Sequence, residues 1–299
     1  MSPERQIPTN ILIGEKSYSF GKIHDIFSAT ADGKKLKAGV RFGKYKPESI
    51  SNRDWKKALG ADVNNADHLQ LSLGLTRLFL DYCQNPRDGW AKPLTETAKF
   101  SMEEQQLLQL TMVMHDWGES RSGDINFHDK TEEHEITEMK HLSNIYHEIF
   151  GTKGKIGKKE KEVLDKVTTI ASENKSKLGQ ARDAIEFVGY NRTGLRAYSN
   201  HTKYEGELGK TLEVMGLEVS PNQIPVLLCY AEVYPPIFSY LKNNKDAISF
   251  IIDQAIAREG KIDPKVELGF VSELWFNEFL PATFPPPKPV RRNSFRRSN

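Results

Sequence analysis

The apolar positions of the chain follow two different patterns. In the first fifty residues they come in short runs, Ile11 to Ile13, Tyr18 to Phe27 and Leu36 to Phe42, rich in β-branched and aromatic side chains. Asp32-Gly33, between the last two runs, is a hairpin turn signal, so this stretch predicts a small β element. After Pro47 the pattern turns helical. From Ala66 to Cys83 the residues Leu69, Leu73, Leu75, Leu78 and Phe79 approximate one face of a helix. Ser101 and Glu104 form a capping box ahead of Leu107, Leu108, Leu110 and Val113. Gly118 and Gly123 fit a helix stop and a turn.

Thr131 is placed to cap a further helix with the stripe Ile136, Met139, Leu142, Tyr146 and Ile149, stopped by Gly151. The Lys- and Gly-rich stretch 151–161 reads as an exposed loop, and helical patterns follow over 160–173 and 178–188. Beyond His201 helices are expected within 223–241, split at Pro235-Pro236, and over 247–257 and 271–280. The resulting organisation is a β-rich N-terminal extension (1–50), a helical core (51–200), a C-terminal helical extension (201–283) and a disordered, basic, Pro-rich tail (284–299). The expected fold class is mainly α.

Composition narrows the class. With 299 residues, 38% of them hydrophobic, the chain can bury a sizeable core. A net charge of +2 does not suit a nucleic-acid coat, so nucleic acid is not an expected partner. Cys83 and Cys229 cannot build a disulfide framework; both lie in apolar stretches and read as buried thiols of a reducing compartment. No apolar run has membrane-spanning length and no signal-peptide core opens the chain, so a cytoplasmic protein without a membrane partner is expected.

The candidate chemistry lies in Met114-His115-Asp116-Trp117-Gly118-Glu119-Ser120-Arg121-Ser122-Gly123-Asp124. Successive helical residues point about 100° apart, so His115 and Asp116 can share one ion only near a helix end. Glu119 lies four residues from His115 and three from Asp116, on their face. A histidine at a helix C-terminus is explained by the helix dipole, but carboxylates at that negative end are not. Imidazole with carboxylate suits Mn, Fe, Co, Ni or Zn better than Ca. His128, His134, His141 and His147, spaced six or seven residues apart, read as a solvated face and not as a second metal site.

Taken in order, Asn65-Ala66-Asp67-His68, His115-Asp116-Trp117-Gly118-Glu119, Gly123-Asp124-Ile125 and Ala181-Arg182-Asp183 resemble the HD-domain metal-dependent phosphohydrolases, most of all their 5′-deoxynucleotidase-like branch. The resemblance covers 53–196. It implies a helical HD core holding one divalent transition ion through His68, His115, Asp116 and Asp183. Glu119 would position or deprotonate the attacking water, and Asp124 would hold a substrate hydroxyl or protonate the leaving group. Arg53 and Trp55 would hold phosphate and sugar, although their Arg-Asp-Trp spacing departs from the family's pattern. The implied reaction releases phosphate from a nucleotide, a deoxynucleoside 5′-monophosphate. Family members are often dimers, so a homodimer is implied as well.

Two alternatives stand beside this. Lys175, Lys177, Arg182, Arg192 and Arg196 surround Asp183 in sequence, as the polyphosphate lining of a deoxynucleoside triphosphate triphosphohydrolase would. A non-catalytic nucleotide-sensing or scaffold module is the alternative of another class, but it has no need of a carboxylate at position 119.

Overall fold

The computed structural model describes residues 6–60, 64–123, 125, 130–151, 155–172 and 175–259. The expected helix at 271–280 and the tail at 284–299 lie outside these residues, as do Asp124 and His128. The protein is mainly helical, with one small two-stranded sheet near its N-terminus. Among the described residues no helix is long and apolar enough to cross a membrane.

Strands β1 (Asn10–Ile13) and β2 (Lys16–Ser19) form an antiparallel hairpin in which Ile11 faces Tyr18 and Ile13 faces Lys16. Gly14 makes the turn at φ 65°, a left-handed conformation that glycine adopts without steric cost. Ile11 and Ile13 are buried and Leu12 is exposed, the alternation of a strand with one covered face.

The rest of the expected β element is corrected. Phe20–Ala29 is helix α1 and Ala31–Ala38 is helix α2. The physical reason is local capping. The Ser19 side chain accepts from the Lys22 backbone N–H, and Phe20, Ile23 and Phe27 then fall on one buried helical face. Thr30 caps α2 by accepting from the Gly33 N–H, which puts Asp32-Gly33 inside the first turn of a helix.

Helix α3 (Asn52–Leu59) starts on Ser51 and α4 (Asn65–Gln84) on Asn64. Both arms of the expected capping box at Ser101 and Glu104 open α5 (Met102–Met114). A short α6 (Glu119–Ser122) follows, then α7 (Glu132–Phe150), whose cap pairs Thr131 with His134. The face that α7 buries is Glu138, Leu142, Ile145 and Tyr146, whereas Ile136 is 64% exposed. Next come α8 (Lys158–Ser172), α9 (Lys177–Asn200) and α10 (Gly206–Ala231). Pro235 opens α11 (Pro235–Asn243) at the position where its missing N–H costs nothing, so the expected split falls there, and α12 (Lys245–Glu259) closes the described chain.

Two large apolar clusters share α4 and α5. One packs Phe79, Leu80, Leu108 and Met112 against Ile185, Leu228, Tyr234 and Ile248 of α9 to α12. The other packs Leu69, Leu73, Leu110 and Val113 against Ile23, Phe27, Leu142 and Val167 of α1, α7 and α8. Each fully buried Leu, Ile, Val or Phe in these clusters contributes about 1.5–3 kcal/mol relative to exposure. Phe27 lies flat on Trp117, with ring centroids 4.5 Å apart, fixing the turn after α5. Cys83 is buried as expected, but Cys229 is exposed, on the outer face of α10.

Candidate metal centre

His68 lies one turn into α4, and His115 and Asp116 stand at the end of α5; all three are nearly buried, with exposures of 6%, 7% and 7%. The first turn of α4 is held from outside by His24, whose Nε2 is 3.2 Å from the Ala66 carbonyl oxygen. His115 Nδ1 donates to the Met112 carbonyl oxygen at 3.1 Å. A carbonyl can only accept, so this bond fixes the ring and turns Nε2 toward α4 and α9.

The histidines and Asp116 converge. His115 Nε2 lies 3.1 Å from Asp116 Oδ1, His68 Nε2 lies 3.9 Å from Asp116 Oδ2, and the two imidazoles meet edge to face at 5.4 Å. Their candidate ligand atoms all lie within 4.8 Å of one another. Ligands bound at about 2.0–2.2 Å to one ion stand roughly 3–4 Å apart, which matches this spacing.

The fourth side chain, and the second carboxylate, is Glu186 of α9. Its Oε1 is 2.7 Å from His115 Nε2 and 3.8 Å from His68 Nε2. Burial disfavours the charged form of His115, but Asp116 and then Glu186 outweigh it and push its pKa to about 9. Burial likewise opposes the Glu186 anion, yet His115 and His68 hold it well below the ordinary carboxylate range. The contact is an ion pair without the alignment of a hydrogen bond: His115 Nε2 and Glu186 Oε1 are both buried, and neither has an aligned partner among the described residues. These two buried atoms, with a second imidazole and a second carboxylate around them, make a group that could hold a metal ion.

Asp183 does not join this group, which corrects the expected ligand set. Its Oδ1 accepts from Arg182 Nε at 3.1 Å and Nη2 at 2.5 Å, while Arg182 Nη1 donates to the Ala171 carbonyl oxygen. Asp183 therefore serves the arginine, and α9 presents its carboxylate to the histidines one turn later. The sequence signal for Glu186 is an acidic residue set between Ala184-Ile185 and Phe187-Val188, where solvent-facing residues are not expected.

Arg53 and Trp55 are also elsewhere. Arg53 is exposed on α3. Trp55 is fully buried among Ala58, Leu59, Leu208 and Leu212, a packing position and not a sugar platform. Its indole N–H donates to the Arg41 carbonyl oxygen at 3.1 Å. A cation at the site is Arg41 itself: Nη1 donates to Asp116 Oδ2 at 3.1 Å, and the guanidinium lies near the Phe42 and Tyr190 rings, 5.8 and 5.7 Å from their centroids. Nothing in Val40-Arg41-Phe42 separates this arginine from a residue on an exposed strand.

Glu119 lies close to Asp116, and the Asn65 side-chain amide donates to its Oε2. Asp116, Glu119 and Glu138 form a second close group, with carboxylate oxygens within 4.8 Å of one another. The turn that carries Asp116 and Glu119 is pinned on two sides. Arg121 forks onto Asp32 of α2 at 2.7–3.2 Å and reaches Glu148 of α7 at 2.8 Å. At Gly118 an added Cβ would meet the Glu138 carbonyl oxygen at 2.2 Å, so only glycine lets α7 approach this closely.

No match emerges for this chain among protein-family models, curated proteins or solved structures.

Proposed function

We propose that the protein is a metal-dependent phosphohydrolase of the HD-domain kind that releases phosphate from a nucleotide, a deoxynucleoside 5′-monophosphate. The observation that carries this reading is the meeting of His68, His115, Asp116 and Glu186, from α4, α5 and α9, in one buried place with Glu119 beside it. The ordered His, His-Asp and Glu resemblance supports the same reading, with Glu186 in the role expected of Asp183.

A divalent ion held by these four side chains would supply positive charge to the phosphoryl oxygens and a nucleophile at neutral pH. Asn65 holds one oxygen of Glu119, which orients the carboxylate as the general base for the attacking water. Arg41 offers a planar fork to the phosphoryl oxygens, and its backbone is fixed by Trp55. His115, anchored through Nδ1, keeps its orientation throughout.

The triphosphohydrolase alternative needs a converging basic lining. Three of its five candidate cations are engaged elsewhere: Lys177 on Glu104, Arg182 on Asp183 and Arg196 on the Leu59 carbonyl oxygen. This favours the monophosphate.

The test is phosphate release from a panel of nucleotides with Mn or Co. Glu119→Gln is expected to lower kcat by about 100-fold or more while metal content stays unchanged. Inorganic triphosphate as the product would select the alternative enzyme. Nucleotide binding without release of either product by the wild type would select the sensing module.

A further inference from the structure

Asp116, itself a candidate ligand, forms a second close group of carboxylates with Glu119 and Glu138. Glu138 belongs to α7, not to the turn that holds the other two, and its side chain is only 7% exposed. Bringing such anions together out of water is costly unless a cation accompanies them. Lys130 provides it, with Nζ 2.6 Å from Glu138 Oε2. Burial works against the ammonium, but Glu138, Glu119 and Asp116 hold its pKa above that of an ordinary lysine, so it stays charged. Burial raises the pKa of Glu138, and Lys130 is the main group pulling it back. The pair does not build the helix start, since Thr131 and His134 already cap α7. The close approach at Gly118 holds Glu138 in register with Asp116 and Glu119.

We infer that Lys130 is a further positive charge of the phosphoryl site, beside the ion and Arg41 and in the place a second ion would take, and that Glu138 is its positioning residue. This rests on the phosphohydrolase reading. Two-ion centres hold their cations about 3.5–4 Å apart and clamp the phosphoryl group between them. Here Asp116 belongs to both groups of side chains: the histidine side suits the ion, and the ammonium stands on the carboxylate side. One N–H of Lys130 serves Glu138, and the ammonium's other two N–H groups turn to phosphate oxygens. Lys130 makes and breaks no covalent bond; it neutralises charge on the phosphoryl group.

The experiment uses the full chain and two probes that do not require turnover. Mn titration followed by electron paramagnetic resonance counts ions per chain, and calorimetry of the Mn-loaded protein measures affinity for inorganic phosphate. Lys130→Met, Lys130→Arg and Glu138→Gln are compared with wild type after their melting curves confirm folding. The wild type is expected to take one Mn, and Lys130→Met to bind phosphate about tenfold more weakly or worse, from the loss of the ammonium's charge-assisted hydrogen bonds. Lys130→Arg, which keeps the charge, is expected to stay within about threefold of wild type, and Glu138→Gln to fall between Arg and Met. Two Mn per wild-type chain, or Lys130→Met binding phosphate as tightly as wild type, would overturn the inference. If the wild type hydrolyses no nucleotide, the functional reading fails on its own, while ion count and phosphate affinity still decide the role of Lys130.

Discussion

Glu186 and Asp183 stand one turn apart on α9, and their neighbours give them different work. Glu186 faces His115 and His68, whereas Asp183 holds Arg182. Glu186→Gln is therefore expected to weaken Mn binding by more than the roughly 10–100-fold typical of changes around a metal's own ligands, and Asp183→Asn by no more than that. Calorimetric titration of both variants measures it, and equal losses would contradict the assignment of Glu186. His115 adds a pH dependence. With its pKa raised to about 9, its Nε2 is protonated at neutral pH, and an ion must displace that proton. Apparent metal affinity should rise about tenfold per pH unit from pH 6.5 to 8.5, with one proton released per ion bound. A flat profile would mean that His115 is not a ligand. His115 and Asp116 are legible in the sequence because their spacing at a helix end has a chemical meaning, whereas His68 enters only through the family resemblance. Arg41 and Lys130 are not legible, because a lone cation in a mixed segment shows nothing of what it will face.

At the level of elements, caps decided more than composition did. The run Tyr18 to Phe27 has the aromatic and β-branched content of a strand, yet Ser19 caps it into helix α1, and Thr30 does the same for α2. Where caps were read, at Ser101 and Thr131, the helices begin as expected. Along α7 a stripe beginning at Ile136 looks more apolar than the face actually buried, which hid Glu138. Helix α2 also carries Asp32, whose carboxyl is held below its ordinary pKa by the Arg121 hydrogen bonds, against the opposing effect of burial. A depressed carboxylate stabilises the fold above its unfolded pKa, and that contribution is lost as pH falls through its folded value. Asp32→Asn should therefore cost about 1–2 kcal/mol at pH 7, with the gap to wild type closing below pH 4. Urea melts at both pH values measure this; a gap unchanged at pH 3 would assign the cost to packing instead of charge.

Over the whole molecule, α4, α5 and α9 each contribute to the centre, and α4 and α5 belong to both large apolar clusters. An ion held there would add a common tie to elements already joined by packing, by Arg77 donating to Gln109 and by the Lys177–Glu104 ion pair. Any ligand that binds only the folded state stabilises it, by about 2.7 kcal/mol at a hundred times its Kd. Mn should accordingly raise the melting temperature of the wild type, chelation should reverse the shift, and His68→Ala should abolish it. A shift that persists in His68→Ala would place the ion elsewhere.

The indole of Trp55 holding the carbonyl of Arg41 has a practical consequence for how the chain can be cut. A shortened version starting at residue 51 would retain every ligand to the ion and the Glu119 carboxylate, and by a motif search it would look complete. It would lack the guanidinium opposite Asp116 and the hairpin and two helices that cover α4 and α5, so the opening segment helps to build the candidate centre and is not an appendage to it.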